Sequence, residues 1–291
     1  MKEPKLYSEL DEITELENKR SYIIVKHNDI IQKNRYTLEK NKDNSLSLLE
    51  QKIILYIISM IKPNTKEFEF IPFEIKEFSR IVGIEDSKDI YARVKSAITK
   101  LASRVMWLKS IDEEITVRWI DKAKINKRQG KVYIKLDNDL KPYLIGLYSN
   151  FTQFPLHDII RMKSKYGIML YEILKSYYYK GQKLKFNIDD LKERLDCVKY
   201  TNFSNFKLRV IEPAINDINT YSELYVSVEY IKKGKTYTDI VFNMRDLGKP
   251  KSEKERIEAA RRYYKVEQEL NHQQMSFFDI LYKDKDIEVD L

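Results

Sequence analysis

Asn202-Phe203-Ser204-Asn205-Phe206-Lys207-Leu208-Arg209-Val210-Ile211-Glu212-Pro213-Ala214-Ile215-Asn216-Asp217-Ile218-Asn219 is the stretch that decides the fold. Phe206, Arg209 and Val210 keep helical spacing with the residues that follow, so the stretch reads as one helix over 202–219. Pro213 interrupts it. A proline inside a helix removes an N–H and clashes one turn back, at a cost of about 3 kcal/mol. Either the helix begins near Glu212 or it is kinked there. The unbroken spacing favours a kink, with the segment ahead of it projecting from the body.

Working outward, 183–188 alternates as a strand and 189–195 reads as a short helix. After the long helix, 224–230 and 237–244 are strands around Lys232-Lys233-Gly234-Lys235. Before it, a helix runs to about Tyr179, with Pro155 as an early residue. The same order occurs earlier in the chain. Ser47-Leu48-Leu49-Glu50 has the form of a capping box and opens a buried helix through Ile53-Ile54-Leu55-Tyr56-Ile57-Ile58. A strand over 68–73, a helix over 74–82 ended by Gly83, and a longer helix over 89–106 follow. Two strands, 115–125 and 131–136, close the unit around Asn126-Lys127-Arg128-Gln129-Gly130. Core residues repeat at a nearly constant offset: Leu55-Tyr56 with Leu170-Tyr171, Phe73 with Phe186, Ala97-Ile98 with Ala214-Ile215. Helix, strand, helix, helix, hairpin is the winged-helix plan. The expected fold is therefore α+β and helix-rich, with two tandem winged helices and a helical C-terminal tail.

The bulk numbers agree with two domains in 291 residues. The net charge of +8 suits a polyanionic partner but does not specify one. Cys197 is the single cysteine, so no intrachain disulfide can form; it reads as a small apolar filler near a helix end. The N-terminal twenty residues lack the apolar run of a signal peptide, and Ile53–Ile58 is too short to span a bilayer. A cytoplasmic protein with no membrane contact is expected. We divide it into an acidic extension over 1–21, which is either a dimer-forming helix or disordered, a first winged helix over 22–150, a second over 151–247, and a charged helix and tail over 248–291.

Several segments together resemble the Rep_3-type initiators of iteron plasmids. They are Ile24-Val25-Lys26-His27-Asn28-Asp29, Leu46-Ser47-Leu48-Leu49-Glu50-Gln51-Lys52, Tyr91 with Val94 and Lys95, and 206–215 with Ile218-Asn219. The resemblance runs over about 22–247. It implies binding of double-stranded DNA at short direct repeats of a plasmid origin, opening of adjacent AT-rich DNA, and recruitment of host replication proteins such as the helicase or the host initiator. It further implies a second domain that reads bases and a first that touches DNA more loosely and dimerises. Dimers in equilibrium with monomers would repress the initiator's own promoter and control copy number. The family's helix often carries a tight run of arginines, which Leu208 interrupts here.

Asn202, Asn205, Lys207 and Arg209 are the candidate base readers, since asparagine can pair with adenine, and arginine or lysine with guanine. Lys232, Lys233 and Lys235 form a basic wing tip suited to phosphate. Lys127, Arg128 and Lys131 play that part in the first wing, and Lys199 and Tyr200 precede the reading helix as backbone grips. In the tail, Ser252-Glu253-Lys254-Glu255 is a second capping box, and Gln274-Met275-Ser276-Phe277-Phe278 resembles the peptide by which bacterial proteins dock on the sliding clamp. Gln274, Phe277 and Phe278 would make that contact, or the phenylalanines would cover the tail's own domain.

Enzyme chemistry is not expected. Tyr177-Tyr178-Tyr179 invites comparison with nicking initiators, but His27, His157 and His272 are too scattered for a local metal pair. The tyrosines read instead as packing residues of a long helix. No phosphate-binding loop is present, and no cofactor is implied. A transcriptional regulator with two winged helices and a nicking or priming enzyme are the competing functions.

Overall fold

The computed structural model describes residues 23–32, 46–62, 65–84, 89–109, 114–126 and 131–246. Strand β1 (Ile23–His27) leads into helix α1 (Asn28–Gln32). Helix α2 (Leu48–Ser59) opens on the expected capping box: Ser47 Oγ accepts from the Glu50 N–H at 3.3 Å, and Glu50 Oε2 accepts from the Ser47 N–H at 2.7 Å. Next come β2 (Ile71–Phe73), α3 (Ile75–Val82) and α4 (Ile90–Ser103). Gly83 ends α3 in the left-handed region at φ 74°, a conformation glycine adopts without a Cβ penalty.

Two elements of the first unit differ from expectation. The helix expected to reach Met106 stops at Ser103, and β3 (Val105–Lys109) pairs with β4 (Glu114–Arg118) as a separate hairpin. The strand expected over 115–125 is two strands. The Trp119 side chain turns into the core between β4 and β5 (Ile120–Asn126), and the chain changes sheets there. Strand β5 pairs with β6 (Lys131–Leu136), which also pairs with β2.

Helix α5 (Lys141–Leu144) leads to β7 (Phe151–Pro155). Pro155 thus closes a strand rather than opening a helix. Strand β7 runs antiparallel to β1, from Ile23 opposite Pro155 to His27 opposite Phe151, so it has a ready partner that local periodicity does not reveal. After α6 (His157–Ile160), α7 (Lys165–Tyr177) forms the long helix of the second unit. Tyr177 and Tyr178 pack against the core, whereas Tyr179 follows α7 and is 75% exposed, so it is not a packing residue.

The second unit continues with β8 (Lys183–Asn187), α8 (Ile188–Arg194), α9 (Phe203–Phe206), a π-turn over Lys207–Ile211, α10 (Glu212–Tyr221), β9 (Leu224–Lys233) and β10 (Thr236–Asp246). Its sheet order, β8-β10-β9, reproduces β2-β6-β5 of the first unit. Both units are winged helices.

Aromatic clusters that include the repeated pair Phe73 and Phe186 sit in both cores. Tyr56, Phe73 and Phe78 meet at 5.0–5.6 Å in the first; in the second, Phe186 lies 5.8 Å from Tyr177 and 6.1 Å from Phe242. The units share one continuous set of buried residues. Lys26 of β1 donates to Glu172 of α7 at 2.7 Å in the interior, and Gln32 of α1 donates to Ser176 at 2.9 Å. Cys197 is buried, and burial pushes its thiol up to about 12, in keeping with a filler role. No described helix is long and apolar enough to cross a membrane.

Candidate nucleic-acid interface

The helical stretch over 203–221 is continuous, and Pro213 is accommodated without a break. At the π-turn the Glu212 N–H donates to the Lys207 carbonyl, five residues back. The wider turn absorbs the register that the missing proline N–H disrupts, in place of a sharp kink. The turn sits where the sequence placed the reading residues.

The helix's far half is held by two polar clamps. Asn219 donates to the Val226 carbonyl at 2.9 Å and accepts from the Val226 N–H at 2.6 Å. It thereby satisfies the backbone of β9 on the edge that no described strand pairs. Asp217 Oδ2 accepts from the backbone N–H groups of Lys163 and Ser164 at 2.9 and 2.6 Å, tying α10 to the start of α7. A Cβ on Gly167 would lie 2.9 Å from that oxygen, so the close approach requires glycine. Burial pushes the Asp217 carboxyl up, opposed by those two N–H groups and by Lys52. Lys52, buried on α2, is lowered to about 8, chiefly by burial.

The near half has one face on the core and one at the surface. Phe206, Val210 and Ile211 face the core, while Ser204, Asn205, Leu208, Arg209 and Glu212 face outward. Asn202 is the N-cap: its Oδ1 accepts from the Ser204 and Asn205 N–H groups at 2.8 and 3.3 Å. Both lone pairs of that oxygen serve the helix, so bidentate pairing with adenine would require breaking the cap. Lys207 lies 3.6 Å from Glu212 and 5.1 Å over the Tyr230 ring. Arg209 is exposed and has no partner among the described residues.

The wing is fastened to the helix start by three aromatic rings. Phe203 stacks on Tyr237 at 4.0 Å and meets Tyr230 edge-on at 5.4 Å. A one-residue bulge at Thr238, between the Tyr237 and Asp239 pairings, sets the register that brings Tyr237 to this cluster. Lys232 lies 4.5 Å over Tyr237, and Gly234, at φ 64°, makes the turn between exposed Lys233 and Lys235. A cleft of about 420 Å³ opens between wing and α8, lined among others by Lys192, Thr201, Lys235 and Thr236. Lys199 is exposed with its ammonium 5.6 Å from the Tyr200 ring, and Tyr200 packs edge-on to Tyr166.

Helix and wing thus present one basic, outward face. The family model described as "Initiator Replication protein, WH1" matches residues 23–175, and that described as "Initiator Rep protein, WH2" matches residues 187–244. The chain belongs to the Rep3 family of replication initiators. Among its relatives, a "Replication initiation protein" of Escherichia coli is 22% identical over 67% of this chain and 63% of its own length. The "PI protein" of Escherichia coli is 26% identical over 44% of this chain and 47% of its own length. The chain therefore aligns with less than two thirds of either relative. A solved structure of the Pi initiator in complex with iteron DNA superposes with a TM-score of 0.64 at 19% identity, covering 77% of this chain and 97% of that one. That likeness shows the shared Rep3 fold.

In the first Rep3 unit, Lys131 is exposed at the start of β6; Lys127 and Arg128 lie outside the described residues, as do the N-terminal extension, the tail and its Gln274, Phe277 and Phe278. Sequence reasoning missed the Phe203–Tyr230–Tyr237 cluster and the two clamps. The alternation that puts Tyr230 on the same strand face as Val228 and Val226 was one usable sign. The pairing of Asn219 with a strand edge had none, because it joins a side-chain amide to a backbone position that only packing brings beside it.

Proposed function

We propose that this chain initiates plasmid replication by binding direct repeats of double-stranded DNA at an origin. The observation that carries the reading is the surface face of the second unit's long helix, which holds Asn205 and Arg209 outward, with half-buried Lys207 at its edge, beside a basic wing. Asn205 and Arg209 read base edges; Lys207 shares that face with Glu212; Asn202 sets the helix start. Lys232, Lys233 and Lys235 hold phosphates, with Lys199 and Tyr200 gripping the backbone ahead of the helix. The cleft between wing and α8 is where a DNA strand passes. Lys131, with Lys127 and Arg128, supplies a looser second contact.

On this reading the protein acts by binding alone, without an enzymatic step. Several bound copies deform the duplex and open neighbouring AT-rich DNA. The first unit dimerises, the dimer represses the initiator's promoter, and the monomer recruits host replication proteins. Gln274, Phe277 and Phe278 dock on the sliding clamp, and alanines at the two phenylalanines should abolish clamp capture.

Footprinting on DNA from the same replicon tests the central claim. Several direct repeats protected in phase, beside an AT-rich stretch, are the expected result. Protection of one inverted repeat would mark a transcriptional regulator. Specific nicking of supercoiled origin DNA with magnesium would mark an enzyme.

A further inference from the structure

Leu208 is 61% exposed on the surface face of the second unit's helix. Its neighbours Phe206, Val210 and Ile211 already fill the core side, so Leu208 is not required for packing. A scattered exposed leucine needs no explanation. This one stands beside Arg209, one turn beyond Ser204 and within a turn of Asn205, in the middle of the polar line assigned to base reading. On a DNA-reading helix a side chain there enters the major groove, whose most prominent apolar feature is the C5 methyl of thymine.

We infer that Leu208 packs against a thymine methyl and makes thymine the preferred base at that place in the repeat. The inference rests on the DNA-reading role proposed above. Leucine offers no hydrogen bond, so it selects by shape. Opposite cytosine it would meet no methyl and would cover the N4 amine that water otherwise solvates. The interruption of the basic run then has a purpose: it exchanges a phosphate or guanine contact for discrimination of thymine. Arg209 and Asn205 flank the leucine and fix the neighbouring bases, so the preference falls on one or two adjacent positions.

Deoxyuridine supplies the test, because it removes the methyl and keeps Watson–Crick pairing. A duplex is selected from a randomised library with the full chain, and each thymine is replaced singly by deoxyuridine. Affinity is read by fluorescence anisotropy. One or two positions should weaken wild-type binding about fourfold, the worth of one buried methyl. Leu208→Ala should lose that sensitivity at the same positions, and Leu208→Met should keep it. The residue is exposed, so an unchanged melting temperature of both variants checks that the fold is intact. A flat uridine profile in the wild type overturns the inference. An unchanged profile in Leu208→Ala overturns it as well. Failure of the wild type to select any sequence would instead bring down the DNA-reading role itself.

Discussion

The two winged helices share one strand order but hold their third helix differently. In the first unit α4 is an uninterrupted fourteen-residue α-helix. Lys100 and Ala102 stand at the positions that the repeat aligns with Asp217 and Asn219, and Lys100 is exposed. In the second unit those two positions are the polar clamps, and the helix ahead of them widens into a π-turn. The wings differ too: β5 and β6 have seven and six residues, β9 and β10 ten and eleven. The first unit also carries the β3–β4 hairpin between helix and wing, where the second runs directly from one to the other. One fold has been elaborated in two directions. The second copy anchors the base of its helix and extends its wing, which fixes the geometry of an aimed surface.

The sharpest way to break this contrast is to remove a clamp. Asp217→Ala leaves the Lys163 and Ser164 N–H groups without their acceptor and Lys52 without a neighbouring anion. It should cost about 3 kcal/mol of stability by urea denaturation. Lys100→Ala, at the matching place in the first unit, should stay within about 0.5 kcal/mol. Equal losses would mean that the two helices are held alike.

The next effect is on binding. Arg209→Ala should weaken specific binding by roughly 1–3 kcal/mol and relax one base position in a titration against single-base variants. Arg93 is an exposed basic residue on the third helix of the first unit, and Arg93→Ala should weaken binding less and relax no position. A relaxed position in both would make both units readers.

A smaller effect sits where the units meet. Lys52 of α2 faces Asp217 together with Arg161 and Lys163, and its folded pKa of about 8 lies below the ordinary 10.5. Below about pH 8 it is charged both folded and unfolded, and the fold bears the full burial penalty. Between about 8 and 10.5 the unfolded chain binds the extra proton, so the Lys52 contribution rises with pH. Lys52→Met should therefore stabilise the protein at pH 7. The shift already contains the attraction to Asp217, so it sets an upper limit of about 3 kcal/mol, and the imperfect fit of a thioether in a site shaped for an ammonium reduces the gain to about 1 kcal/mol. The gain should shrink as pH rises through that window; a constant difference would locate the strain elsewhere.

The smallest effect separates the wings. Lys233→Ala should lower affinity for all sequences evenly, by under about 1 kcal/mol, and flatten the salt slope by about 1. Lys131→Ala should change the slope less. Identical slopes would remove the distinction between a gripping wing and a loose one.

Much of this architecture was legible in the chain by itself. The capping box at Ser47 and Glu50, the stop at Gly83, and the matched residues Leu55-Tyr56 and Leu170-Tyr171 are local or periodic signals. Each reports a backbone preference or a buried face that a short window contains. They sufficed for element order, for the doubled winged helix and for the outward helix carrying Asn205 and Arg209. What tertiary structure alone decided joins residues far apart in sequence. Strand β7 forms because β1 offers an edge more than a hundred positions away, so Pro155 ends a strand despite its helix-compatible setting. Trp119 divides an alternating run because the core has room for its ring. Asn202 has a capping oxygen that only the folded turn engages. Composition and spacing record what a residue can do; the partner that fixes what it does is chosen by packing.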